Sequence, residues 1–132
     1  MIVFESVSKK FGSSFALDNI SLEIKQGEFV FIVGPSGAGK STMLRILTRE
    51  ILPTSGKVMV VNQDITKLKP KDIPNLRRKI GFVFQDFKLL DDRTVFENVS
   101  ITLEVLGKKN DEISKMVEHT LKLVEIWDKR DL

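Results

Sequence analysis

The chain has 132 residues, and its 21 Lys and Arg against 18 Asp and Glu give a formal net charge of only +3. This length fits one domain or part of one, and so small an excess of positive charge gives no indication of a nucleic-acid partner. The sequence has no cysteine, which excludes disulfides and thiolate metal sites and agrees with a reducing compartment. No apolar run approaches the ~20 residues of a membrane span, so we expect any membrane association to depend on a partner.

The N-terminal part of the chain is predicted to form β structure. Apolar residues alternate or cluster over residues 2–8 and 15–24, and Gly12 and Gly27 interrupt the pattern. Such spacing is typical of antiparallel hairpins. Residues 29–33 are a continuous apolar run, which predicts a buried strand.

A glycine-rich motif follows that run directly and fills the pattern GxxxxGK[ST]. An apolar helical stretch comes after it, which is the context that a phosphate-binding loop requires. A chance match in a glycine-bearing turn is the alternative interpretation. The candidate nucleotide-binding residues of the motif are Gly34, Pro35, Ser36, Gly37, Ala38, Gly39, Lys40, Ser41 and Thr42.

The residue types of the motif match what a bound triphosphate needs. Backbone N–H groups can surround phosphates only where side chains do not block them, which accounts for Gly34, Gly37 and Gly39. Lys40 supplies positive charge for the β- and γ-phosphates. Ser41 offers a hydroxyl to Mg²⁺, and the helix that begins near Gly39 directs the positive end of its dipole at the anion. The predicted ligands are therefore a nucleoside triphosphate and Mg²⁺.

The middle of the chain alternates predicted helix and strand. Apolar spacing predicts a helix over residues 43–51, then a turn over 53–56 and a strand over 57–61. Asn62 is a residue type that tolerates positive φ, as a tight turn requires. Residues 80–84 form a second apolar run of buried-strand length, which ends at Gln85.

Two helices are predicted in the last third. Thr94 and Glu97 have the spacing of a capping box, so a helix should begin there. Apolar residues over 113–124 recur at the i, i+3, i+4, i+7 spacing of an amphipathic helix.

These features in this order resemble the ATP-binding-cassette (ABC) ATPases. The resemblance covers essentially the whole chain, and residues 73–90 and 92–99 are most similar to the bacterial cell-division ATP-binding subfamily. Lipoprotein-release and macrolide-export ATPases share much of this sequence pattern. The chain departs from the common pattern at Phe11, where Tyr is frequent, at Asn62, where Gly is usual, and at Asp91, where Pro is frequent.

The resemblance implies an α/β P-loop NTPase fold of the ABC type. We expect an antiparallel β subdomain and a partial nucleotide-binding core with the Walker A motif at about residues 1–85. The Q-loop and the start of the helical subdomain should occupy about residues 85–132. On this interpretation the sequence is the truncated N-terminal part of a single ABC ATP-binding domain.

The same resemblance assigns two further site residues. Phe11 would stack on adenine, and Gln85 would be the Q-loop glutamine, an oxygen ligand of Mg²⁺ that senses the γ-phosphate. The alternatives are that Phe11 is an ordinary hairpin hydrophobe and that Gln85 simply ends a strand. Asp86 is also a candidate Walker B aspartate of some other P-loop enzyme, although Gln85 stands where that aspartate would be expected.

The implied function of the complete protein is to bind and hydrolyse MgATP as a head-to-tail homodimer. It would drive an integral-membrane partner of the FtsX type in cell division, from the cytoplasmic face of the plasma membrane. The alternatives are the ATPase of a lipoprotein-release or export system, and a nucleotide-binding module that does not hydrolyse ATP. The signature motif, the Walker B carboxylates and the switch histidine do not occur in these 132 residues, so we expect no turnover from this chain alone.

Overall fold

A long antiparallel hairpin opens the chain, with β1 at Ile2–Phe11 and β2 at Ser14–Ile24. The computed structural model describes all 132 residues, which form two compact units, Met1–Phe82 and Val83–Leu132. The hairpin lies within the first unit and confirms the predicted β start. Its strands are longer than the predicted runs because the pairing continues to the tip at Gly12.

The first unit contains a four-stranded antiparallel sheet in the order β2-β1-β3-β4. Strand β3 covers Ser55–Val60 and pairs with β1, and the two-residue strand β4 covers Gln63–Asp64. Val61 and Asn62 connect β3 to β4 with φ of 46° and 62°. Two consecutive positive φ values are typical of a tight hairpin turn, so the expectation for Asn62 is confirmed.

Helix α1 at Lys40–Leu47 packs on this sheet through buried Met43 and Ile46. The prediction that the helix continues to residue 51 was wrong. Arg49 has φ of 54° and its N–H donates to the Ile46 carbonyl, while the Glu50 N–H donates to the Arg45 carbonyl. These two bonds end the helix in a left-handed cap of the Schellman type, which an arginine seldom occupies.

The buried core of the first unit lies between the sheet and the helices α1 and α2, of which α2 covers Ile73–Arg77. Arg49 extends this packing, because its guanidinium donates to the carbonyls of Ile65 and Leu68. The buried members of the core are Phe4, Val7, Leu17, Met43, Ile46, Val58, Val60, Ile65 and Leu76.

The two apolar runs at residues 29–33 and 80–84 form no strands, contrary to prediction. Phe29, Phe31 and Val33 expose 84%, 78% and 85% of their surface, and Val83 exposes 86%. A parallel strand exists only through its hydrogen bonds to neighbouring strands, and a continuous apolar run is suited to burial on both faces. Neither run is a strand here, and most of their apolar side chains are exposed, although Ile80 packs against the core of the first unit.

The second unit is a pair of helices, α3 at Val95–Val105 and α4 at Asn110–Leu123. The predicted capping box is confirmed, since Thr94 Oγ1 accepts from the Glu97 N–H and Glu97 accepts from the Thr94 N–H. The unit's core is built from both helices and from the short turn at Trp127–Lys129. No helix of the protein is both long and apolar enough to span a bilayer.

Candidate functional site

The glycine-rich loop joins the irregular segment at residues 29–33 to α1, and it closes around a lysine ammonium. Lys40 Nζ donates to the Gly34 carbonyl at 2.6 Å and to the Pro35 carbonyl at 2.7 Å. The Ala38 N–H donates to the Pro35 carbonyl at 3.2 Å. The only positive charge of the loop therefore lies at its centre, with two carbonyl oxygens as exchangeable partners.

The N-terminus of α1 is suited to an anion. Gly39 is its N-cap, no side chain caps the first turn, and that turn contains no acidic residue. The N–H groups and the positive end of the helix dipole therefore have no competing carboxylate. The Ser41 side chain is exposed and has no hydrogen bond in the structure, so its hydroxyl is available as a ligand.

This arrangement fits a nucleotide with Mg²⁺ better than it fits a metal alone. The chain contains no group of three or more His, Cys, Asp or Glu that could bind a metal ion. Magnesium at nucleotide sites is bound mainly by phosphates and water, with one or two protein oxygens. A single hydroxyl at Ser41 meets that requirement.

Gly39 is required by packing as well as by access to phosphate. Its φ is 88°, and a Cβ atom there would collide with the carbonyl oxygen of Ala16 and lie 2.9 Å from Leu17 Cδ2. Gly37 has a similar φ of 80°, but nothing lies within 4 Å of the corresponding position. The loop is therefore anchored to β2 at Gly39 and open at Gly37.

A β-bulge in the hairpin creates this anchor. Lys9 pairs with Leu17 and Lys10 pairs with Phe15, so Ala16 is the extra residue in β2. Its carbonyl is the backbone group that Gly39 approaches. The sequence contained no signal for the bulge, because hydrophobic periodicity does not show a one-residue insertion of this kind.

Phe11 lies at the end of β1, with 49% of its surface exposed. Residues two apart on a strand share a face, so Phe11 is on the face of Lys9 and of buried Val7. Leu17, the cross-strand partner of Lys9, belongs to the core cluster that includes Met43 and Ile46 of α1. The hairpin therefore presents Phe11 on the same face as α1 and its glycine-rich loop.

Gln85 belongs to the second unit, whereas Phe11 and the loop at residues 34–42 belong to the first. Gln85 is exposed and begins a turn in which Phe87 and Lys88 have φ of 55° and 54°. In the same turn Lys88 Nζ contacts Asp86 Oδ2 at 2.6 Å, and this hydrogen bond lowers the pKa of the Asp86 carboxyl. Because Asp86 is paired with a lysine, the alternative of a metal-binding Walker B aspartate gains no support.

Asn98 of α3 fixes the far end of the loop that starts at Gln85. Its Oδ1 accepts from the Leu90 N–H at 2.8 Å, and its Nδ2 donates to the carbonyls of Leu90, Arg93 and Thr94. The sequence pattern did not single out Asn98. The only available signal was an amide side chain one turn into a capped helix, next to a loop whose backbone has no sheet or helix partners.

The comparisons with known proteins identify the family. The family model described as ABC transporter matches residues 17–132. The chain belongs to the ABC family. It is 47% identical over 131 residues to the cell division ATP-binding protein FtsE of Mycobacterium tuberculosis, a match that covers 98% of this chain and 57% of that relative. It is 51% identical over 116 residues to the methionine import ATP-binding protein MetN of Carboxydothermus hydrogenoformans, a match that covers 88% of this chain and 34% of that relative.

Solved ABC cassettes have the same fold. The ATP-binding cassette MJ0796, in a dimeric post-hydrolysis state bound to ADP and Pi, superposes with a TM-score of 0.82 at 41% identity over 95% of this chain and 57% of that chain. A dimeric structure of the same cassette gives a TM-score of 0.85 at 39% identity, over 99% and 60% of the two chains. The ABC-type P-loop fold with its antiparallel β subdomain is therefore confirmed. The chain spans somewhat more than half the length of the FtsE relatives and these cassettes.

Proposed function

We propose that this ABC chain binds MgATP at the loop of residues 34–42. Lys40 and the loop N–H groups bind the phosphates, and Ser41 and Gln85 supply oxygen ligands to Mg²⁺. Phe11 stacks on the adenine ring. Mg²⁺, when bound, would neutralise phosphate charge, while the chain's own residues position the nucleotide at a helix N-terminus whose first turn has no acidic residue.

The observation that carries this proposal is the Lys40 ammonium, which lies between the Gly34 and Pro35 carbonyls at the uncapped N-terminus of α1. An ammonium in this position can exchange two neutral acceptors for phosphate oxygens, and bonds between ionised groups are the stronger ones. The structural neighbour MJ0796 is a cassette bound to ADP and Pi, which supports the same chemistry here.

Replacement of Lys40 by Ala tests nucleotide binding directly. A charge-assisted contact contributes roughly 1.5–3 kcal/mol, so we expect about a ten- to hundredfold loss of affinity for MgATP in a calorimetric titration. Lys79→Ala is the matched control, because Lys79 is an exposed lysine of the same unit outside the loop. Equal affinity of Lys40→Ala and the wild type would refute the proposed site.

We further propose that the complete protein hydrolyses ATP as a head-to-tail dimer and drives an integral-membrane partner of the FtsX type in cell division. It would act from the cytoplasmic face of the membrane. The FtsE relatives from Mycobacterium tuberculosis and Bacillus subtilis support the role, since each matches 98% of this chain. Phe87 and Leu89 support a partner surface next to Gln85, because 72% and 64% of their surfaces are exposed.

A methionine import ATPase is the second candidate, favoured by the 51% identity to MetN. Deletion of the gene separates the two roles. A division defect, visible as filamentous or misdivided cells with normal methionine uptake, is the expected result. Loss of methionine uptake with normal division would assign the chain to an importer instead.

A further inference from the structure

The tip of the β1–β2 hairpin contains two lysine–phenylalanine pairs. Lys9 Nζ lies 5.1 Å from the centroid of the Phe11 ring, and Lys10 Nζ lies 4.2 Å from the centroid of the Phe15 ring. Both distances are within the range of cation–π attraction. Phe11 and Phe15 are about equally exposed, at 49% and 51%. The two pairs are therefore chemically matched.

The two pairs lie on opposite faces of the hairpin. Lys10 and Phe15 are cross-strand partners, whereas Lys9 is opposite Leu17 on the far side of the bulge at Ala16. The Lys9–Phe11 pair thus shares the face of Leu17, on which α1 and its loop pack. The Lys10–Phe15 pair faces away from that loop.

The Lys9 side chain has no interaction besides the one with the Phe11 ring. Its ammonium forms no salt bridge and no hydrogen bond in the structure, although the side chain is half-buried. An ammonium over one face of a phenyl ring limits the rotation of that ring and occupies that face. The opposite face is then the one available for a flat, π-rich ligand.

We infer that Lys9 is a positioning residue of the nucleotide site: it fixes the Phe11 ring so that the uncovered ring face receives the purine base. This inference rests on the proposed function. Fixing the ring before binding lowers the ordering cost of stacking, so the effect of Lys9 is confined to ligands that have a base.

The test compares MgATP with magnesium tripolyphosphate, which lacks the base, in calorimetric titrations. Lys9→Gln should weaken MgATP binding about two- to fivefold and leave tripolyphosphate binding unchanged. Lys9→Arg should restore MgATP affinity, because a guanidinium also stacks on an aromatic ring. Lys10→Gln, which removes the matched pair on the opposite face, should change neither affinity.

A double variant measures the coupling. In a Phe11→Leu background, Lys9→Gln should cause no further loss of MgATP affinity, since Leu has no ring for the ammonium to fix. Thermal unfolding of each variant verifies that the hairpin is intact.

Three results would overturn the inference: equal losses for MgATP and tripolyphosphate, an equal effect of Lys10→Gln, or unchanged MgATP affinity in Lys9→Gln. If Lys40→Ala abolishes MgATP binding while Lys9→Gln has no effect, the inference fails and the proposed function stands. If Lys40→Ala binds MgATP normally, the proposed function itself fails.

Discussion

Gly37 and Gly39 have nearly the same φ, 80° and 88°, but different surroundings. Both conformations belong to the region that L-residues with a side chain rarely adopt. At Gly39 the backbone also touches Ala16 of β2, whereas Gly37 is exposed with open space around it. A substitution at Gly37 therefore measures the cost of backbone strain alone, whereas one at Gly39 adds the cost of a steric collision with Ala16.

We predict that Gly39→Ala destabilises the first unit by about 3 kcal/mol or more, since the new methyl group collides with a backbone carbonyl that cannot rotate away. Gly37→Ala should cost only about 1–2 kcal/mol, from the left-handed conformation alone. Denaturant unfolding monitored by circular dichroism measures both. Equal costs at the two positions would contradict the proposed contact with Ala16.

At the scale of elements, α3 organises the loop that precedes it. The capping box at Thr94 and Glu97 starts the helix, and Asn98 on its first turn binds the backbone of Leu90 in both directions, as donor and as acceptor. The backbone angles of Phe87 and Lys88 are left-handed, which neither residue type favours. The Asn98 hydrogen bonds to Leu90, Arg93 and Thr94 hold the C-terminal end of the Gln85 loop against α3.

We predict that Asn98→Ala accelerates amide hydrogen exchange at Leu90 about fivefold, the equivalent of losing one net hydrogen bond of about 1 kcal/mol. Asn98→Asp should have a smaller effect at Leu90, because a carboxylate oxygen still accepts from its N–H. Asn75→Ala, in the other unit, is the control. An unchanged Leu90 exchange rate in Asn98→Ala would show that the loop is ordered by other contacts.

At the scale of the whole molecule, two segments each contain several exposed apolar side chains close together in sequence. Phe29, Phe31 and Val33 belong to one, and Val83 and Phe87 to the other. Contiguous exposed apolar surface is typical of interaction sites and of aggregation-prone regions. We therefore expect the isolated polypeptide to have low solubility.

We also predict that the 132-residue polypeptide binds MgATP without turning it over. The Walker B carboxylates and the signature motif that the family resemblance leads us to expect do not occur in its sequence, and its only histidine, His119, is exposed on α4. Phosphate release should equal that of Lys40→Ala. Steady release above that variant would show that the hydrolytic groups lie within these residues.

The sequence by itself determined the family and the main elements of the fold. The motif at residues 34–42 is recognisable because its chemistry requires glycines and a lysine at fixed spacing. The hairpin, α3 and α4 were predictable because their patterns are local: alternation in strands, a capping box, and an apolar stripe at helical spacing. These predictions did not require knowledge of which other elements pack against each strand or helix.

Only the tertiary structure decided whether residues 29–33 and 80–84 are strands, because a strand depends on hydrogen bonds to neighbours that are distant in sequence. The same holds for the bulge at Ala16, which brings its carbonyl close to Gly39 and places Phe15 on the face opposite to that of Leu17. Asn98 is a third example, since its role depends on where a loop eight residues away is placed. Periodicity describes one element at a time, whereas these features arise from the packing of two.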